Sequence, residues 1–367
     1  MRKIVLHLAA AAAVLATLAH ATPAMAQSDI LLRLRSGSPL GDRFRVDSAG
    51  GVVAKSNLGI GLIPQSGAGD RMMWHPFKAA FRAGGVDLTN WDDANVGFYS
   101  LAGGWNTLAS GYYSFAAGYD TEATANYATV TGYQSWAHGV GSVAMGYLAR
   151  ATGAGAVSIG TRTTADADYS VAIGQRASAN GHAGAIVFAD QSTTDSLEAS
   201  ANNQFSVRAA GGYRLYTNAT TTTGMSMNAG GSSWNVISDR NRKQDFLAVD
   251  GEDLLGRLRA IPVTTWRYRD EADRTVRHIG PMAQDWARAF GFSSDNTTIN
   301  MSDFDGVNLA AVQALETRTA QQARQLGTQA QEIQALRGEN AELRAQNRAL
   351  EERMQRLEAL VAGSRAP

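Results

Sequence analysis

Between residues 98 and 190 apolar and small side chains alternate with a period of two, as at Val143/Met145 and Val171/Ile173, which predicts short β-strands. Glycine punctuates this pattern at Gly104, Gly118, Gly132, Gly146, Gly160 and Gly174, each 14 residues from the next. Four of these glycines close a related pentapeptide: SFAAG (114–118), SVAMG (142–146), AVSIG (156–160) and SVAIG (170–174). A second set lies seven residues after a main glycine, at Gly111, Gly139, Gly153 and Gly181, with alanine at 125 and 167 breaking it. Glycine at fixed intervals supplies turns that other residues make only at a cost. One coil of such a chain cannot bury its own apolar face, so neighbours must stack, giving a solenoid with two strands per 14-residue coil. A glycine-rich linker would lack the phased apolar residues.

The C-terminal end has a different period. With a positions at Val312, Thr319, Leu326, Ile333, Asn340, Asn347, Met354 and Val361, the d positions include Leu315, Leu336, Leu343, Leu350 and Leu357. The register spans about 75 Å of helix at 1.5 Å per residue and predicts a coiled coil. Asparagine at a with leucine at d favours a dimer when taken alone. Elsewhere, 30–35 and 43–46 alternate as strands, and Trp74, Phe77, Phe81 and Trp91 are expected in a core. Phe205–Tyr216 reads as strands around Gly211-Gly212, followed by a polar loop or stalk over 217–233. Asp250 opens a helix with Leu254, Leu255 and Leu258 on one face, stopped by Pro262, and 263–268 reads as a strand.

Residues 1–26 have the form of a signal peptide: Met1-Arg2-Lys3, an alanine-rich apolar run, and Ala24-Met25-Ala26 as the cleavage site. No later stretch is apolar for long enough to cross a bilayer, so no membrane span is expected after its removal. With 33 basic and 33 acidic side chains the net charge is zero, which excludes bulk attraction to nucleic acid. The absence of cysteine leaves burial and oligomerisation as the sources of stability.

The pentapeptide repeats, with A-x-A elements between them, resemble the heads of trimeric autotransporter adhesins over about residues 98–190. That resemblance implies a left-handed parallel β-roll, three chains packed side by side, and hence a trimer in preference to the dimer favoured by Asn340 and Asn347. The C-terminal membrane barrel of those adhesins has no counterpart here.

Candidate chemistry lies between the repeats and the coiled coil. Ile237 precedes Ser238-Asp239-Arg240-Asn241-Arg242-Lys243, and a serine with a deprotonated lysine makes a nucleophile–base pair. Arg240 and Arg242 could help lower the lysine pKa. The spacing alone is equally that of a solvated basic turn. Some 40 residues on comes His278-Ile279-Gly280-Pro281-Met282-Ala283-Gln284-Asp285, then the terminal helix. In this order the three elements resemble, over about 236–325, the C-terminal intramolecular chaperone of phage endosialidases and tail fibres. The resemblance implies that the domain trimerises, assists folding of the β-rich part ahead of it, and cuts itself off before the motif serine. It places the nucleophile at Ser238, the general base at Lys243 and the scissile bond at Ile237–Ser238. His278 is a third catalytic candidate, or equally a hydrogen-bonded histidine at a strand end. Gly280 and Gln284 match a structural element of the family, and Asp239 has no assigned step. No cofactor or metal is implied: the Asp303/Asp305-Gly306 cluster lacks the ligand spacing of a calcium loop, and the six histidines have no zinc spacing.

The expected architecture is therefore mainly a β solenoid, a left-handed trimeric β-roll, followed by an α+β self-cleaving chaperone domain and a coiled coil. Its segments are a signal peptide (1–26), an N-terminal β region (27–97), head repeats (98–190), a β stalk (191–235), the chaperone (236–311) and the coiled coil (312–363). The expected function is that of an exported, extracellular or cell-surface homotrimer, reached via the periplasm, with a cell-surface or glycan ligand. The alternative is a glycan-degrading enzyme with a β-roll body, which needs paired carboxylates among Asp120, Glu122, Asp166, Asp168 and Asp190.

Overall fold

The computed structural model describes residues 30–36, 41–292 and 295–363; the expected signal peptide lies outside them. The chain divides into two compact units, one running to 215 with 226–234, the other comprising 216–225 and 235 onward.

The first unit is built on a roll of parallel strands. Five-residue strands at 101–105, 115–119, 129–133, 143–147, 157–161 and 171–175 pair in register, each shifted by one 14-residue repeat. Two-residue strands at 108–109, 122–123, 136–137, 150–151 and 164–165 form the second sheet. Beyond residue 175 the repeat lengthens: Val171 pairs with Ile186, and Ile186 with Phe205. Glycine at the fourth position of each long strand is required twice over. Gly132 has φ +115°, and a Cβ there would stand 2.0 Å from the carbonyl oxygen of Gly146 on the next coil.

The interior is narrow, and small side chains fill it. Ala102, Ala116, Val130, Ala144, Ser158 and Ala172 form one fully buried column on the long strands, and Ala109, Ala123, Ala137, Ala151 and Ala165 face them from the short ones. Because successive side chains alternate, Val143/Met145, Val157/Ile159 and Val171/Ile173 point the other way, outward. The larger members of the alternating pattern are thus left half-exposed on the outer surface, while the alanine and serine positions make the core. Tyrosine ladders flank this outward face: Tyr99–Tyr113–Tyr127, with ring centroids 5.0 and 5.4 Å apart, and Tyr119–Tyr133–Tyr147 at 5.0 and 5.2 Å.

An antiparallel hairpin, 69–75 with 80–86, joins the first roll strand in parallel and closes that end. Of the four aromatics expected in a core, only Trp91 is fully buried, its Nε1 donating to Thr107 O at 2.8 Å; Trp74, Phe77 and Phe81 are half-buried. Arg82 takes the central position instead. Its guanidinium is buried and donates to Ser100 O, Ser100 Oγ and Ala109 O, adding side-chain bonds to carbonyls that already accept from the Phe81 and Gly97 amides. Burial pushes its pKa down to about 10, which leaves it charged at neutral pH.

In the second unit, Asp250 caps helix α1 (Gly251–Ala260) by accepting from the amides of Glu252 and Asp253. Strands 264–266 and 278–280 pair antiparallel, followed by α2 (Ala283–Phe290) and the 63-residue α3 (Met301–Gly363). Leu254, Trp286, Val307 and Ala311 form a small core where the three helices meet. Beyond it the whole heptad seam of α3, Leu326 through Leu357, is exposed. No helix among the described residues is long and apolar enough to cross a membrane.

The division into a small-residue interior and a large-residue exterior is directly testable. Ala144→Leu, which overfills the coil, should lower stability by about 2–3 kcal/mol, whereas Ala144→Ser, which copies Ser158 one coil on, should cost under about 1 kcal/mol. Equal shifts in thermal midpoint for the two variants would refute the assignment of faces.

Candidate functional site

The candidate site begins where the chain leaves strand 235–236. Ile237 N donates to Gly224 O at 3.3 Å, fixing the residue ahead of the turn. Asp239 then caps a 3-10 turn, Arg240–Arg242: its carboxylate accepts from Asn241 N at 2.9 Å, Asn241 Nδ2 at 3.1 Å and Arg242 Nε at 3.2 Å. The Asn241 amide bond first, and the Arg242 guanidinium second, hold the Asp239 carboxyl below its ordinary pKa. Lys243 closes the turn through its amide to Arg240 O. This fold-back brings Lys243 Nζ to 2.7 Å from Ser238 Oγ. A serine hydroxyl and a lysine amine are therefore in hydrogen-bond contact beside the Ile237–Ser238 peptide. The whole turn faces solvent.

His278 is engaged elsewhere. Its Nε2 lies 2.9 Å from Glu271 Oε1, and its ring packs 4.7 Å from Trp266 and 5.6 Å from Tyr268. Gly280 ends the same short strand, and Gln284 lies in the first turn of α2. Asp239 has no chemical step assigned from sequence; here it builds the turn that brings Ser238 and Lys243 together. The cue was an acid two residues ahead of an asparagine in a tight polar segment, which is an Asx-type cap.

Family comparison matches residues 238–292 to the peptidase family described as the chaperone of endosialidase. The match opens on Ser238 itself. Residues 109–135, 123–149 and 151–177 match the YadA head domain repeat, each match spanning two coils of the roll. The chain joins adhesin-type head repeats to an endosialidase-type chaperone domain. No curated protein and no solved structure matches it.

The carboxylates that a glycan-cleaving roll would need are engaged structurally. Asp120 accepts from Gln134, Glu122 pairs with His138, and Asp166 and Asp168 accept from the backbone amides of Gly181 and Ala154. Asp190, held well below the carboxylate range first by Ser192 and then by the amide of Ala210, also pairs with Arg208.

If the Asp239 cap holds the turn, Asp239→Ala should raise hydrogen exchange at the Asn241 amide on the order of fivefold, the equivalent of about 1 kcal/mol. Asp239→Asn keeps an acceptor and should leave exchange nearly unchanged. Equally fast exchange in both variants would show that the cap is not what closes the turn.

Proposed function

We propose that the chain is an exported homotrimeric fibre or adhesin-like protein whose chaperone domain assists trimer assembly and then cleaves itself off between Ile237 and Ser238. The observation that carries this reading is the 2.7 Å contact between Ser238 Oγ and Lys243 Nζ at the first residue of the family match. The segment boundaries given above, from signal peptide to coiled coil, are part of the proposal.

Ser238 supplies both the nucleophile and the amide nitrogen that leaves. Neutral Lys243 takes the Oγ proton as Oγ bonds to the Ile237 carbonyl carbon through a five-membered ring. The C–N bond then breaks, and the nitrogen receives that proton, leaving an ester between Ile237 and Ser238. Water hydrolyses the ester, giving the Ile237 carboxylate and a chain that begins with free Ser238. Holding the hydroxyl and base in contact replaces a bimolecular encounter with an intramolecular step. A lysine becomes a competent base once its proton is lost, which burial promotes. The turn of one protomer faces water, so packing of three chains over it supplies that burial and makes cleavage follow assembly.

Two apolar surfaces support the trimer: the outward Val/Met/Ile face of the long-strand sheet, and the exposed heptad seam of α3. Light scattering on Ser238→Ala should give the mass of three full-length chains after leader removal; a monomer or dimer would sink the assembly. The unsubstituted protein should yield a small fragment whose sequence starts Ser-Asp-Arg-Asn-Arg-Lys. Ser238→Ala and Lys243→Ala should abolish the cut, as should Lys243→Arg, whose guanidinium stays protonated. His278→Ala, which removes the partner of Glu271, should leave cleavage by folded trimers intact. An uncut chain, or a fragment with another start, means the dyad assignment is wrong.

A further inference from the structure

The outward face of the short-strand sheet lies on the opposite side of the roll from the apolar face. On the earlier coils its acids have side-chain partners: Glu122 lies 3.0 Å from His138, and Asp120 accepts from Gln134 at 3.1 Å. Arg150, Arg162 and Arg176 occupy three successive coils, Arg150 on a short strand aligned with Thr164, and Arg162 and Arg176 at consecutive corners with φ 54° and 57°. Among the described residues none of the three has a carboxylate within ion-pair distance. The acids of the same coils, Asp166 and Asp168, are committed to backbone amides. Arg150 lies over the Trp136 ring, 4.5 Å from its centroid, and Arg176 keeps a buried Nε with no hydrogen-bond partner.

We infer that Arg150, Arg162 and Arg176 form a binding site for an acidic polysaccharide, one that carries carboxylate or sulfate groups along its chain. The inference rests on the fibre reading above and names the ligand class of its head. Parallel coils rise by about 4.8 Å, so three guanidinium groups are distributed over about 10 Å along the roll. Such a row fits a linear polymer with recurring charges better than it fits one small anion. A guanidinium fork pairs both oxygens of a carboxylate or sulfate, and the Trp136 ring holds that of Arg150 in place. The outward hydroxyls of Thr152 and Thr164 stand beside the row, at the right scale for sugar hydroxyls. A nucleic acid is the less suitable polyanion. It calls for a broad basic surface and exposed stacking faces, whereas this chain has 33 basic and 33 acidic residues and the Trp136 ring is covered by Arg150.

The test is binding of the full-length Ser238→Ala protein to immobilised heparin, hyaluronan, neutral dextran and duplex DNA by interferometry. Each sample is first sized by light scattering. The protein should bind heparin or hyaluronan, with the stronger of the two distinguishing sulfate from carboxylate, and should ignore dextran. Arg150→Gln/Arg162→Gln/Arg176→Gln should weaken that binding at least tenfold; glutamine already occupies the same corner at Gln134. Arg150→Gln/Arg162→Gln, which spares the partly buried Arg176, should give an intermediate loss, and Arg337→Gln/Arg344→Gln on the coiled coil should give none. A trimer that binds neither acidic glycan, that binds unchanged in the triple variant, or that prefers DNA through the same arginines overturns the inference while leaving the fibre reading standing. A monomer that binds through these arginines would overturn the fibre reading alone.

Discussion

Everything in the head follows from how little room there is inside one coil. Two sheets approach so closely that the columns between them accept alanine, serine and an occasional valine, all with essentially no exposed surface. A 14-residue coil therefore cannot place its large apolar side chains inside, and these are left on the outside of the long strands. An interior of methyl groups yields little hydrophobic stabilisation per residue at about 25 cal/mol per Å². The hydrogen-bonded ladders hold the coils in register, while the outer apolar face of the single chain stays half-exposed. A chaperone-type domain behind such a head suits its physics, because non-local β-structure folds slowly and exposes surfaces prone to aggregation.

Much of this was legible in the amino-acid sequence, and the parts that were not have definite causes. The 14-residue glycine period translated directly into coils, since Gly132 and its equivalents are forced both by φ and by the carbonyl of the next coil. Which face of each strand turns inward was not legible: a period of two marks both faces equally, and the habit of placing valine inside and alanine outside fails in so narrow a coil. Trp91 is buried as its aromatic character implies, but the burial of Arg82 and His75 is not legible, because charged and polar residues are ordinarily surface residues. The helices around Asp250 and along the heptads were marked by a cap and by periodicity, and both appear.

The candidate site was legible in a different way. A serine five residues from a lysine means nothing alone; the order of three distant elements gave it weight. What no pattern supplied was the means of contact, which is a single aspartate folding six residues back on themselves. The histidine illustrates the reverse case: it is prominent in sequence, yet it is tied to Glu271 and two aromatic rings.

The strict register of the roll also makes the head a ruler. Because Thr129 sits on Val143, Val143 on Val157 and Val157 on Val171, removing one 14-residue unit would shorten the head by a single coil of about 4.8 Å and leave all other pairings intact. Removing 13 or 15 residues within the uniform stretch would instead turn alanine outward and valine inward on every later strand, unless a loop absorbed the difference, as the longer steps beyond residue 175 do. Reach is therefore adjustable in discrete steps by duplication or loss of short in-frame gene segments, with no redesign of the ends.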